Sequence, residues 1–155
     1  MHKIASVILS LMLAGCVQTA EITTPFHEPD YAYALQPGTA EVSGQAFLRR
    51  NDGVVVYGAG GIVLLIPSTP YTREISSRGT AAPVSFTNFD ERLAKYVKRA
   101  QADGEGRFKF SGVPDGEYIA SASVTWMAGR YRQGGEINKT IVIEDGKSVD
   151  VILTR

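Results

Sequence analysis

Residues 103–118 read Asp103-Gly104-Glu105-Gly106-Arg107-Phe108-Lys109-Phe110-Ser111-Gly112-Val113-Pro114-Asp115-Gly116-Glu117-Tyr118. Two Asp-Gly dipeptides bracket a short alternating run. Asp-Gly tolerates the positive φ of a tight reversal, and Phe108/Lys109/Phe110 alternates with the period of two that a half-buried strand requires. Phe108 and Phe110 therefore belong to a core face and Lys109 to a wet one. A strand framed in this way predicts an all-β domain whose other segments pack against it.

Working outward from this strand, the upstream sequence supplies three further strand signals. Residues 41–48 form the first domain strand, and Asn51-Asp52-Gly53 is its turn. Residues 54–57 either complete a hairpin or form a bulged extension. Gly58-Ala59-Gly60-Gly61 then breaks the chain, since consecutive glycines favour neither a helix nor a strand interior. Residues 62–66, Ile-Val-Leu-Leu-Ile, are a continuous apolar run stopped by Pro67, as expected of a central strand covered on both sides.

Between Tyr71 and Tyr96 lies a long excursion. Asn88 or Asp90 can cap a helix, and Leu93, Tyr96, Val97 and Ala100 fall at i, i+3, i+4 and i+7. A short helix near 90–95 giving way to a strand is expected. Downstream, residues 117–126 are the longest strand, with Tyr118, Ala120, Ala122, Val124 and Trp126 on one face. Residues 127–135 read as a glycine-punctuated loop. Residues 136–143 and 148–153 read as a C-terminal hairpin closed by Glu144-Asp145-Gly146.

The central pattern resembles the carboxypeptidase regulatory-like domain family, small β-sandwiches in which an Asp-x-x-Gly-x-Phe-x-Phe strand leads through a Val-Pro-x-Gly turn into a Tyr-bearing strand. Gly106, Phe108, Phe110, Val113, Pro114, Gly116 and Tyr118 match. The resemblance spans about residues 39–154, and it implies that a strand over 97–102 pairs with residues 107–110 across the Asp103-Gly104 turn. It implies a seven- to eight-stranded Greek-key sandwich of the transthyretin (prealbumin) kind, and a non-catalytic accessory role rather than peptidase chemistry.

The first sixteen residues read as an address. Met1-His2-Lys3 is a short positive start, residues 4–14 are an apolar run, and Leu13-Ala14-Gly15-Cys16 follows. The run is shorter than the roughly 20 residues a membrane-crossing helix needs, and it ends in small residues suited to a signal peptidase. Leu-Ala-Gly-Cys resembles the bacterial lipobox, which implies a lipoprotein signal peptide over 1–15 and acylation of Cys16 by diacylglycerol and a palmitate-type chain. Several acyl chains, each contributing about 0.8 kcal/mol per buried CH₂, hold a protein on a leaflet. The residue after the cysteine is Val17 rather than Asp, so in a Gram-negative cell envelope the outer membrane, facing the periplasm, is the favoured destination.

Residues 16–38 have the Thr- and Pro-rich composition of a flexible tether, leaving 39–155 as the sandwich domain. Fully extended, residues 17–38 would reach roughly 70 Å at about 3.3 Å each. Within them Tyr31-Ala32-Tyr33-Ala34-Leu35 either lays a short strand along the domain edge or stays free as a recognition segment.

The 155 residues carry 16 basic and 16 acidic side chains, with no isolated basic block, which argues against a nucleic-acid partner. The lone Cys16 excludes an intramolecular disulfide. Beyond the signal peptide the one histidine is His27, so neither Ser-His-Asp catalysis nor a multi-histidine zinc site can be assembled. Gly58–Gly61 is not followed by Gly-Lys-Ser/Thr, so no phosphate loop and no cofactor is expected. The acidic pairs Asp103/Glu105 and Asp115/Glu117 read as turn solvation, and neither has the spacing of a calcium loop.

What remains is binding. Trp126, Met127, Arg130, Tyr131, Arg132 and Gln133 gather residue types that dominate interfaces, and Arg130, Tyr131, Arg132 and Tyr71 are the candidate contact residues. The first reading is a non-enzymatic, membrane-tethered envelope protein that binds a protein partner. The second is a cell-wall glycan-binding or peptidoglycan-binding sandwich that uses exposed Tyr31, Tyr33, Tyr71 or Trp126 as a stacking platform.

Overall fold

Phe108 and Phe110 are each 5% exposed, their rings edge-to-face at 5.9 Å, while Lys109 between them reaches solvent and pairs with Glu41 at 2.6 Å. The alternation is that of a strand with one dry face. The computed structural model describes residues 18–79 and 84–155, so the expected signal peptide over 1–15 and Cys16 lie outside the described residues.

Ten strands run through the described residues: β1 Gln18–Ala20, β2 Ala40–Arg49, β3 Val55–Tyr57, β4 Ile62–Pro67, β5 Val84–Phe86, β6 Lys98–Gln101, β7 Arg107–Val113, β8 Gly116–Ala128, β9 Tyr131–Ile143 and β10 Val149–Leu153. Helix α1 spans Pro70–Gly79, and 3₁₀ segments cover Glu28–Leu35 and Glu91–Lys95. Eight strands make the sandwich, as expected. One sheet is built on β2, which pairs with β10 in parallel and with β7 and β3 antiparallel. Ala46 donates its N–H to Gly106 O and accepts at O from Gly58 N–H, so β7 and β3 follow one another along the same edge of β2. The other sheet has the order β6-β4-β8-β9. Val42, Ala46, Leu48, Phe108, Phe110, Val151 and Leu153 from the first sheet meet Val63, Leu65, Tyr118, Ala120, Val124, Ile137 and Ile143 from the second in one core.

Two expected pairings are corrected. β6 does not pair with β7 across Asp103-Gly104; it pairs with β4, and β7 pairs with β2. Nor do β9 and β10 form a hairpin, because β10 lies parallel to β2 in the opposite sheet. Both segments reverse the chain as read, but in the first the positive φ falls at Gly106, at 74°, rather than at Asp103-Gly104, while Asp103 Oδ1 accepts from the Glu105 and Arg107 N–H groups; in the second Asp145 and Gly146 have φ of 56° and 64°. Such a turn reverses the chain but does not dictate which sheet receives the next strand. The dry faces do. Asn51-Asp52-Gly53 does close a hairpin, with Leu48 opposite Val56.

The expected loop over 127–135 is also corrected. β8 and β9 stay in register to Ala128 opposite Tyr131, so only Gly129 and Arg130 form the turn of a long hairpin.

The tether reading of residues 16–38 is overturned for the part described. Tyr31 is fully buried and Ile22 is 6% exposed. With Tyr71, Leu93 and Tyr96 they form a second apolar cluster, joined by Phe26 and by Ile66 of β4, on the outer side of the β6-β4-β8-β9 sheet. Phe26 stacks on Tyr31 at 4.6 Å, and Tyr31 lies 4.9 Å from Tyr96. Burying these rings overrides the extended preference of a Thr- and Pro-rich segment. Residues 31–35 dock as part of a 3₁₀ turn rather than as an edge strand.

Polar clamps fix the same segment. Glu74 of α1 accepts from Thr23 N–H at 2.9 Å and from Thr24 N–H at 2.7 Å, and these bonds, Thr23's first, hold its carboxyl down at about 2. Glu28 is bonded by Lys95 and Tyr96, which lower its pKa in that order.

Helix α1 had a sequence signature. Thr69 and Thr72 exchange bonds, Thr69 N–H to Thr72 Oγ1 at 2.9 Å and Thr72 N–H to Thr69 Oγ1 at 3.3 Å, with Pro70 at the first helical position. This is a reciprocal cap with threonine in the place more often held by Glu or Gln. The expected helix near 90–95 is a 3₁₀ turn capped by Asp90, whose Oδ1 accepts from Arg92 N–H, and it gives way to β6 as read.

Candidate functional site

Beyond the core, β8 and β9 overhang the end of the sandwich, and the β2–β3 hairpin stands opposite them. Between the two lies an open cleft of about 590 Å³ lined by Leu48, Arg49, Arg50, Asn51 and Asp52 on one side and Trp126, Ala128, Gln133 and Gly134 on the other, with Arg155. The row that faces the core along β8, Tyr118, Ala120, Ala122 and Val124, continues into Trp126, which is half-buried and packs on the edge of the core.

Register decides what shares that face. Trp126 is opposite Gln133 and Ala128 is opposite Tyr131, whereas Met127 is opposite Arg132. Directly opposed residues of an antiparallel pair project to the same side. Trp126, Gln133, Ala128 and Tyr131 therefore lie on the cleft side, with Tyr131 at the rim and 68% exposed. Met127 and Arg132 lie on the other. Gly134 makes room for the indole: it has φ +90°, and a Cβ there would stand 2.9 Å from Trp126 Cζ3 and 2.1 Å from Val124 O.

Arg50 is bound to Asp52 at 2.5 Å and is thereby neutralised. Arg155 Nη2 approaches the Gly135 position, 3.3 Å from where a Cβ would be. The site thus offers an aromatic face, an amide, a neutral Arg–Asp pair and further guanidinium groups on an open, wettable floor. Such a surface can stack on a ring and exchange hydrogen bonds with hydroxyls.

Of the candidate contact residues, Tyr131 shares the face of Trp126 at the tip of the hairpin but does not line the cleft, Arg132 sits on the opposite face of β9, and Arg130 falls in the turn. Tyr71 does not belong to a surface. It is 3% exposed, and its Oη accepts from Asp90 N–H at 2.7 Å, so it organises the second cluster. Tyr31 is buried with its Oη bonded to Thr69 Oγ1 at 2.8 Å, and Tyr33 is half-buried, with burial raising its phenol to about 12 and its hydroxyl donating to Glu117 O. Of the four aromatics considered as platforms, Tyr31 and Tyr71 are buried, Tyr33 lines a smaller cleft of about 330 Å³ with its hydroxyl already donated to Glu117 O, and Trp126 lines the larger one. The contribution of Arg49, Arg50, Asn51 and Asp52 was not read from sequence, because they lie some 75 residues from Trp126 and only the sandwich brings them opposite it.

The acidic pairs are occupied structurally. Asp103 holds its turn, Asp115 accepts from Gly146 N–H at 2.8 Å, and Glu117 accepts from Ser68 Oγ. Among the described residues no group of His, Cys, Asp and Glu is arranged to hold a metal ion.

Fold and site together define a Greek-key β-sandwich module with an aromatic and basic cleft at one end. No family model and no curated protein matches the chain. Among solved structures it is similar to a candidate carbohydrate-binding protein from Pseudomonas aeruginosa, at 28% identity and TM-score 0.76, over 85% of this chain and 99% of that one. More distant likenesses are a DUF3823 family protein from Parabacteroides merdae, at 12% identity and TM-score 0.42 over 77% of this chain and 46% of that one, and the minor pilin GBS52 of Streptococcus agalactiae, at 19% identity and TM-score 0.42 over 76% and 44%. Only the first is close enough to bear on more than the general fold.

Proposed function

We propose that this protein is a non-catalytic, membrane-tethered module of the bacterial envelope that binds carbohydrate in the Trp126 cleft. The observation that carries the reading is the placement of Trp126 beside Gln133 and the Arg50–Asp52 pair at the open end of the sandwich. The likeness to the candidate carbohydrate-binding protein supports it, since that likeness covers nearly all of the other chain. A sugar ring stacks its C–H face on an indole, and its hydroxyls need donors and acceptors around the rim; both are present. The glycan reading thereby moves ahead of the protein-partner reading that the sequence favours.

The direct test is retention on immobilised envelope polysaccharides. The native protein is retained, Trp126→Ala is not, and Lys139→Ala on the far part of β9 is unaffected. Equal retention of Trp126→Ala and the native protein removes the cleft from the proposal.

The tether is a separate part of the same reading, supported by Leu13-Ala14-Gly15-Cys16 after the apolar run. Cys16→Ser is expected to abolish acylation and move the protein out of the membrane fraction. Unchanged membrane retention with an unmodified N-terminus would sink it.

A binding role for a protein partner keeps one specific support: Met127, 61% exposed, stands beside Arg132 on the outer face of the hairpin. Substitution there without loss of glycan binding would separate the two surfaces.

A further inference from the structure

Resting on the carbohydrate reading, we propose that the cleft selects an acidic saccharide, a chain bearing carboxylates of the uronic-acid type, with Arg49 and Arg155 as the groups that read the charge. Three guanidinium groups line the cleft against one acidic side chain, Asp52. Asp52 is already committed to Arg50. Arg49 and Arg155 make no ion pair among the described residues, a state they share with Lys98, Arg99, Arg130, Arg132 and Lys139, but of these seven only Arg49 and Arg155 line the cleft beside Trp126.

The chain is balanced at 16 basic and 16 acidic residues, so a surplus of cations around one cleft is not a consequence of overall charge. Arg130 in the adjoining turn adds a further cation without an ion pair. A neutral sugar offers these guanidinium groups only hydroxyl acceptors, one hydrogen bond at a time and without charge. A carboxylate presents two oxygens at the spacing of a guanidinium fork, and the bidentate pair gives orientation as well as attraction. The ring that bears the carboxylate can at the same time lie against Trp126, a combination that a charged polypeptide lacks.

The experiment compares calorimetric binding of a panel of uronic-acid oligosaccharides, their carboxyl-reduced counterparts and polyglutamate to the full chain, at low and at physiological salt. The acidic members are expected to bind about tenfold or more tightly than the reduced ones, with affinity falling as salt rises. Arg49→Gln and Arg155→Gln, both at exposed positions, should each lose most of that preference while melting like the native protein. Equal binding of reduced and acidic sugars overturns the inference and leaves carbohydrate binding standing. Binding of polyglutamate as tight as that of the uronates also overturns it, because the cleft then reads charge alone. Binding of no saccharide at all removes the carbohydrate reading with it.

Discussion

The indole of Trp126 lies across Gly134 on the neighbouring strand, so close that a Cβ at Gly134 would stand 2.9 Å from Cζ3. The glycine is required twice, for that contact and for its φ of +90°. Gly134→Ala is therefore expected to destabilise by about 1–3 kcal/mol through overpacking and backbone strain. It should also shift the emission of Trp126, the only tryptophan in the chain. Unchanged stability and emission would show that the indole is not held there.

Core alternation along β7 makes a sharper contrast. Phe108→Ala and Phe110→Ala should each cost roughly 3–5 kcal/mol in urea unfolding, since both rings are enclosed between the sheets. Lys109→Ala loses only an exposed pair with Glu41 and should cost less than about 1 kcal/mol. Similar costs at all three positions would contradict a one-sided strand.

Glu74 predicts a local pH dependence. Its carboxyl is held at about 2 against an ordinary 4.5, chiefly by the Thr23 N–H, so the folded state favours the charged form. The docking it contributes is complete above pH 4.5 and is lost as pH falls toward 2. Amide exchange at Thr23 and Thr24, corrected for intrinsic rates, should accelerate through that window. Glu74→Gln should exchange faster already at neutral pH and show no added acceleration there. Arg78 also pairs with Glu74, at 2.8 Å.

The docked N-terminal segment changes what an anchor at Cys16 would do. From Cys16 to the buried Ile22 is six residues, a reach of roughly 20 Å rather than the roughly 70 Å of a free tether. Neutron reflectometry of the acylated protein on a supported bilayer should place the sandwich directly against the headgroups. A water gap of tens of ångströms would mean that residues 18–35 undock on the membrane.

The sandwich strands were legible because each carries its own burial pattern: Phe108/Lys109/Phe110, the run in β4, and the small residues of β8. Strand partners were less so. Asp103 to Gly106 and Asp145-Gly146 each encode a reversal locally, with the positive φ at Gly106 in the first and at both residues in the second, but the receiving sheet is chosen by where Phe108, Val151 and Leu153 find a core. The second cluster was invisible for a related reason. Phe26, Tyr31, Tyr71 and Tyr96 share no period, and only the docked chain brings them together. Helix α1 was marked by Thr69-Pro70 and Thr72, a cap masked by its weakly apolar body. Near the cleft, Trp126 and Tyr131 could be picked out as types, but their common face follows from the register of β8 on β9. The seemingly loop-like glycines there hid a continuous hairpin.

The most direct test of the central claim uses Trp126 itself, because a chain with a single tryptophan reports on this cleft alone. Titrating the native protein with envelope oligosaccharides while following Trp126 emission and its quenching by acrylamide should give a saturable spectral change and protection from the quencher. Saturable binding by calorimetry with Trp126 emission and quenching unchanged would contradict the account, because the sugar would then be bound elsewhere.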